Sequence, residues 1–190
     1  MRTDVTLRPE NHGDYQTIIK LIQRSFSEGT NYSDGTDVLA LVEEIRDSEY
    51  RIPELSFVAE LSGEIVGHFM FSRFPLSPNA QGGHGSAADA EFALLAPVSV
   101  HADYLRQGIG TAMLTQGIAQ VKKMGFKGLL VEGNYLFYNH LGFRTSAEFG
   151  IYPTSGWPMQ EPRCMMCQEC RPGSLKGVGG YVVYDMYCNP

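Results

Sequence analysis

An apolar strand, a glycine loop and a helix follow one another without interruption between Val98 and Leu114. Gly108 and Gly110 carry no Cβ atom, so a ligand can approach the backbone of this loop closely. The first N–H groups of the helix have no partner within it, and the positive end of the helix dipole lies at the same point. The segment therefore predicts a strand that leads into a helix, with a site for a phosphate-like anion at the junction.

The glycine loop differs from two familiar nucleotide-binding loops. No Gly-Lys-Ser/Thr sequence follows it, as a P-loop requires, and no third glycine completes a dinucleotide-binding fingerprint. Two neighbouring glycines are also common in ordinary tight turns. The glycines alone therefore do not distinguish a tight turn from a binding site, and the sequence on either side of the loop is needed.

The rest of the chain alternates between strand-like and helix-like patterns. We predict strands at residues 5–8, 55–61, 64–71, 92–100 and 128–133, and helices at residues 14–26, 37–47 and 108–124. Ser62-Gly63 is typical of a two-residue hairpin turn, and the Gly-, Ala- and Ser-rich segment 77–90 predicts a mobile loop. Pro97 has no N–H group, so the hydrogen-bond ladder of the strand at residues 92–100 must break there.

Length and composition exclude several classes of protein. The 190 residues fit the usual size of one domain with a substantial core. No apolar run approaches the ~20 residues of a membrane helix, and the first residues lack the apolar core of a signal peptide. We therefore expect a soluble, cytoplasmic protein without a membrane partner. The formal net charge of -6 argues against broad affinity for nucleic acid, which depends on Lys and Arg.

Three ordered motifs resemble those of the GNAT N-acetyltransferases. The glycine loop is similar to their acetyl-CoA motif, Arg/Gln-x-x-Gly-x-Gly/Ala, although Leu105 stands in the Arg/Gln position with Arg106 beside it. Phe137–Phe143 matches the recurrent Phe-Tyr-x-x-x-Gly-Phe. The segments that resemble the C-terminal signature of one bacterial branch of predicted acetyltransferases are Arg171–Leu175 and Gly179–Tyr184. The resemblance covers most of the chain from about Glu91 onward.

The resemblance implies a single N-acetyltransferase domain over residues 1–190 with an α/β fold. Its mixed central sheet would contain splayed fourth and fifth strands flanked by helices, with Pro97 at the break. Acyl-CoA would then pair with the free N–H groups of Val98 and Val100.

The implied activity is the transfer of an acetyl group from acetyl-CoA, without a metal, to a primary amine by direct attack. The acceptor is a small-molecule or peptide amine that the sequence does not identify, and family members often pair as homodimers. A catalytically silent acyl-CoA-binding module on the same fold is the alternative. The cofactor-binding residues that the resemblance implies are Val98, Val100, Leu105, Arg106, Gln107, Gly108, Ile109, Gly110, Thr111 and Asn134.

Catalysis requires an amine that has lost its proton and a proton donor for the departing thiolate. The resemblance implies Tyr138 as the donor, and general acid help is typically worth ~10²–10⁴-fold. The resemblance also implies a carboxylate base at Glu91, before the fourth strand, and Glu132, at the end of the fifth strand, is the second choice. The histidines that titrate near neutrality and can replace them are His68, His84, His101 and His140.

The cysteines offer a competing interpretation. Cys164, Cys167 and Cys170, with Cys188 as a fourth, have a spacing that also suits a zinc or iron–sulfur site. If they lie on a strand, however, successive cysteines project from opposite faces and cannot converge on one metal. We therefore expect buried thiols that pack as small apolar side chains, without a disulfide.

Overall fold

The computed structural model describes residues 4–28, 34–83 and 85–183. The strands are β1 (Val5–Pro9), β2 (Arg51–Leu61), β3 (Glu64–Phe74), β4 (Phe92–Val100), β5 (Gly128–Glu132), β6 (Arg144–Thr145), β7 (Ile151–Pro153), β8 (Met165–Glu169) and β9 (Gly180–Val182). The α-helices are α1 (Tyr15–Ser27), α2 (Thr36–Asp47), α3 (Ile109–Val121) and α4 (Tyr135–Tyr138). None of the helices in the described ranges is long and apolar enough to cross a bilayer.

The chain forms two compact units, and each takes residues from two separate stretches of sequence. The first unit consists of the chain up to Phe71 together with residues 96–120. Its strands lie in the order β1-β2-β3-β4. Strands β1 and β2 pair antiparallel, from Val5↔Leu61 to Pro9↔Phe57. Helix α3 packs closely on β3 because Gly117 has no side chain: a Cβ atom there would lie 2.4 Å from Cε2 of Phe69.

The second unit consists of residues 72–95 and 121–190, of which residues 84 and 184–190 lie outside the described ranges. Its strand order is β4-β5-β8-β6, and β7 and β9 form a separate two-stranded parallel sheet. Strand β4 pairs parallel with β5 from Phe92↔Gly128 to Leu95↔Val131, whereas β8 is antiparallel to β5. The parallel register ends two residues before Pro97, as the missing N–H predicts. The predicted mixed α/β fold is confirmed.

A buried ionic cluster in the first unit was not predicted from the sequence. The Glu10 carboxylate accepts hydrogen bonds from Nε and Nη2 of Arg46 at 3.1 and 2.8 Å, and its Oε2 lies 3.0 Å from Nε2 of His68. All three side chains are at most 4% exposed. The cluster joins the end of β1, α2 and β3, three elements that are distant in sequence.

Several predicted boundaries differ from those observed. Strand β2 begins at Arg51 rather than residue 55, because exposed Pro53 and Glu54 interrupt the apolar pattern after buried Ile52. Helix α3 ends at Val121 and is followed by a 3₁₀ turn. The predicted loop at 77–90 contains a 3₁₀ turn at Ala87–Asp89, and Ser77 exchanges two 2.8 Å backbone hydrogen bonds with Tyr181.

Candidate functional site

The glycine loop leads directly into α3. Gly108 has a left-handed φ of +81°, and its carbonyl accepts the first bond of the helix, from the Ala112 N–H at 3.0 Å. The N–H groups of Ile109, Gly110 and Thr111 therefore precede the first intrahelical donor and need a partner outside the helix. Such a set of amides at the positive end of a helix can bind a phosphate.

The loop before α3 is tightly turned. Arg106 has a φ of +59°, which is uncommon for a residue with a side chain. The Leu105 N–H donates to the Ala102 carbonyl at 3.2 Å, and Nε2 of Gln107 donates to the Asp103 carbonyl at 2.9 Å. The side chain of Gln107 thus supports the turn.

The amides at the end of β4 point in alternating directions. The His101 N–H donates to the Val66 carbonyl on β3 at 2.9 Å, so the Val100 N–H points away from β3. That amide is not free, because it donates to Oγ of Ser25 on α1 at 3.3 Å. The prediction of a free donor at Val100 is therefore wrong, since a side chain 75 residues earlier occupies it.

Tyr138 is the last residue of α4 and lies buried between two aromatic rings. Its ring centroid is 5.0 Å from that of Phe137 and 5.8 Å from that of Phe143. Burial raises the pKa of its phenol above the ordinary value. A phenol in this environment stays protonated at neutral pH, as a proton donor must.

The two candidate carboxylates have opposite environments. Glu91 is exposed just before β4 and forms an ion pair with Lys127. Glu132 ends β5, and its buried Oε1 has no hydrogen-bond partner among the described residues. Burial raises the pKa of Glu132 to about 7. A carboxyl group with this pKa exchanges protons readily at neutral pH.

The remaining predicted site residues have structural contacts of their own. Oδ1 of Asn134 accepts the Leu136 N–H at 3.0 Å and so caps α4. His68 belongs to the buried ionic cluster, and burial lowers its pKa. His101 lies 3.1 Å from a guanidinium nitrogen of Arg24, and Nδ1 of His140 is 2.5 Å from the Leu136 carbonyl. His84 lies outside the described residues.

The cysteines pack as apolar side chains in the described part of the chain. Cys164 and Cys170 flank β8 and are 4% and 8% exposed. Cys167 lies within β8 and is 0% exposed. Burial raises the pKa of the Cys167 thiol to about 12. Among residues 4–28, 34–83 and 85–183, no group of three or more His, Cys, Asp or Glu is arranged to hold a metal. Cys188 lies outside these ranges.

Comparison with known sequences identifies related proteins. Residues 15–143 match the sequence model of the family described as the acetyltransferase (GNAT) family. The chain is 29% identical over 141 residues to the uncharacterized N-acetyltransferase YjhQ of Escherichia coli K12, covering 72% of this chain and 74% of YjhQ. It is 23% identical over 184 residues to the uncharacterized N-acetyltransferase YhbS of the same strain, covering 96% and 98% of the two chains.

Solved structures share the fold. The crystal structure of YhbS from Escherichia coli in complex with CoA superimposes with a TM-score of 0.78 at 23% identity, covering all of this chain and 94% of YhbS. A GNAT family acetyltransferase from Brucella melitensis in complex with acetyl-CoA gives a TM-score of 0.71 at 22% identity, with 99% and 100% coverage. These likenesses confirm the predicted fold, and the match to the family model confirms the predicted resemblance.

Proposed function

The chain belongs to the acetyltransferase (GNAT) family, and from this premise we propose that it transfers an acetyl group from acetyl-CoA to a primary amine. The observation that carries this proposal is the set of helix-start amides at Ile109, Gly110 and Thr111 behind the left-handed Gly108. The solved relatives that contain CoA or acetyl-CoA support the choice of anion.

The proposed cofactor contacts are mainly backbone groups. The pyrophosphate of acetyl-CoA is bound by the N–H groups of the glycine loop, so the apolar side chain of Leu105 is compatible with binding. The pantetheine arm pairs with the backbone of Val98 and Val100 on β4. The full set comprises Val98, Val100, Leu105, Arg106, Gln107, Gly108, Ile109, Gly110, Thr111 and Asn134.

The proposed chemistry needs one base and one acid. The acceptor nitrogen gives its proton to the Glu132 carboxylate and attacks the thioester carbonyl carbon. The new C–N bond forms as the C–S bond breaks, and the Tyr138 phenol protonates the departing CoA thiolate. Glu91 stays a prediction as the base, but its exposure and its ion pair with Lys127 support it less than burial supports Glu132.

Calorimetric titration with acetyl-CoA tests the cofactor part of the proposal. Gly110→Asp should abolish binding, because it places bulk and negative charge beside the phosphates. Ala119→Asp is the matched control, since it adds the same charge to an exposed position of α3 remote from the loop. Unchanged affinity in Gly110→Asp would contradict the assigned pyrophosphate site.

The acceptor part needs a separate screen. Thiol release from acetyl-CoA should be measured with polyamines, amino acids, aminoglycosides and peptide N-termini as acceptors. Amine-dependent release supports the transferase and names the acceptor class. Binding of acetyl-CoA without thiol release for any of these acceptors would favour the catalytically silent module.

A further inference from the structure

The Ser25 hydroxyl bonds to a backbone amide that the proposed function assigns to the cofactor. Ser25 is near the C-terminal end of α1 and only 6% exposed. Its Oγ accepts the Val100 N–H at 3.3 Å, which joins α1 to the end of β4. Most hydrogen bonds between N–H and oxygen are shorter, at about 2.7–3.2 Å, so this bond is weaker than a typical one.

The bonded amide is one of those that the cofactor needs. The neighbouring His101 amide is used within the sheet, at 2.9 Å from the Val66 carbonyl, so Val100 presents its N–H on the other edge of β4. Under the proposed function, a carbonyl of the pantetheine arm accepts from this edge. The amide has a single hydrogen, so the carbonyl and the Ser25 hydroxyl compete for it.

We propose that Ser25 occupies the position of a cofactor carbonyl at the Val100 N–H in the free protein, and that acetyl-CoA displaces it. This inference rests on the proposed function. Rotation of the Ser25 side chain releases the amide, because a helical serine can donate instead to the carbonyl four residues earlier. Ser27, on the same helix, already does so, with Oγ 2.7 Å from the Gln23 carbonyl.

Ser25 then sets the cofactor affinity without touching the reacting atoms. The free protein must give up one hydrogen bond before it forms the equivalent bond to acetyl-CoA. A net hydrogen bond contributes about 0.5–1.5 kcal/mol, which corresponds to about 2- to 10-fold in affinity. Removing the hydroxyl should therefore tighten binding, whereas removing a direct ligand contact would weaken it.

The test is a calorimetric comparison of wild type, Ser25→Ala and Ser27→Ala. Ser25→Ala should bind acetyl-CoA about 2- to 10-fold more tightly, and Ser27→Ala should match wild type. Adenosine 3′,5′-bisphosphate, a CoA fragment without the pantetheine arm, should bind equally to all three proteins. Alanine favours helix more than serine does, so α1 is expected to form in both variants.

The outcomes separate this inference from the proposed function. If wild type does not bind acetyl-CoA, the proposed function is wrong. If wild type binds and Ser25→Ala binds equally or more weakly, the role of Ser25 is overturned. If Ser25→Ala gains as much affinity for adenosine 3′,5′-bisphosphate as for acetyl-CoA, the role of Ser25 is also overturned, because the bisphosphate lacks the pantetheine arm that would reach Val100. Hydrogen exchange of the Val100 amide in wild type should slow when acetyl-CoA is added, and an unchanged rate would contradict the exchange of partners.

Discussion

A Cβ atom on Gly133 would lie 2.8 Å from Cε2 of Tyr138. Gly133 follows β5 with a φ of +149°, in a region that side-chain-bearing residues rarely adopt. The glycine therefore lets the Tyr138 ring pack against the backbone at the end of β5. The position of the proposed acid depends on this contact.

Gly133→Ala should disturb Tyr138 and reduce both stability and turnover. Backbone strain of this kind costs ~1–3 kcal/mol in the free energy of unfolding, and displacement of the ring adds to it. Gly156→Ala is the matched control, because Gly156 also has a positive φ, +92°, but has nothing within 4 Å of an added Cβ. Denaturant unfolding and turnover of both variants check this. Equal losses would show that the ring contact has no effect of its own.

Tyr138→Phe retains the ring and removes the proton donor. Turnover should fall by ~10-fold or more with little change in acetyl-CoA affinity, because the lost interaction belongs to the transition state. Rates should be measured at saturating acetyl-CoA with the amine that the screen identifies. Tyr135→Phe, on the same short helix, should behave as wild type. Wild-type turnover in Tyr138→Phe, where chemistry limits the rate, would remove Tyr138 from the mechanism.

Glu132→Gln should lower turnover by ~10²–10⁴-fold, whereas Glu91→Gln should have little effect. Because burial raises the pKa of Glu132 to about 7, kcat/KM of wild type should rise with pH up to about 7 and then level off. In Glu132→Gln, kcat/KM should no longer show this rise with pH. A pH profile in which Glu91→Gln removes the step instead would restore Glu91 as the base.

The Glu132 carboxyl should also make the free energy of unfolding depend on pH: stability should fall as pH rises, whereas kcat/KM should rise. The folded protein binds the Glu132 proton more tightly than the unfolded chain does, since the pKa rises from 4.5 to about 7 on folding. The stabilisation is complete below pH 4.5 and is lost as pH rises through about 7. Glu132→Gln should flatten this part of the dependence of unfolding free energy on pH, and an unchanged slope would mean that the carboxyl is not buried in solution.

The Glu10 cluster should respond to acid and to loss of its arginine. Burial alone would raise the pKa of Glu10, but hydrogen bonds from His68 and Arg46 outweigh it and lower the pKa. The stability from this group is therefore present above pH 4.5 and lost as pH falls below it. Arg46→Met leaves a buried carboxylate without its main partner and should cost ~3–5 kcal/mol in the free energy of unfolding.

Arg144→Met provides the comparison for Arg46→Met. Arg144 pairs with Glu148 at the surface, so its loss should cost at most ~1 kcal/mol. Equal losses in the two variants, measured by denaturant unfolding, would contradict the assigned role of the buried cluster.

Metal analysis checks the structural role of the cysteines. Protein purified without chelator should contain well under one equivalent of zinc or iron. A stoichiometric metal that is lost on Cys164→Ser or Cys167→Ser would support the metal site instead. Ser99→Ala, which removes a buried hydroxyl from β4, controls for general loss of structure.

Much of the fold follows from local patterns in the chain. The bounds of β4 at residues 92–100 agree with the prediction, because a run of apolar residues between turn signals is visible without its neighbours. The start of α3 after Gly108 is likewise encoded by adjacent residues. The boundary of β2 was missed because Ile52 is recognised as part of the strand only when its burial is known.

The amino-acid sequence alone determined the glycine loop, the aromatic motif that contains Tyr138 and the family to which the chain belongs. Those features depend on residues that are neighbours in the chain. Only the tertiary structure decided that Oε1 of Glu132 is buried while Glu91 pairs with Lys127, and that Ser25 bonds to an amide 75 residues away. Burial and long-range hydrogen bonds depend on which elements pack together, and residue types and their spacing do not specify such contacts.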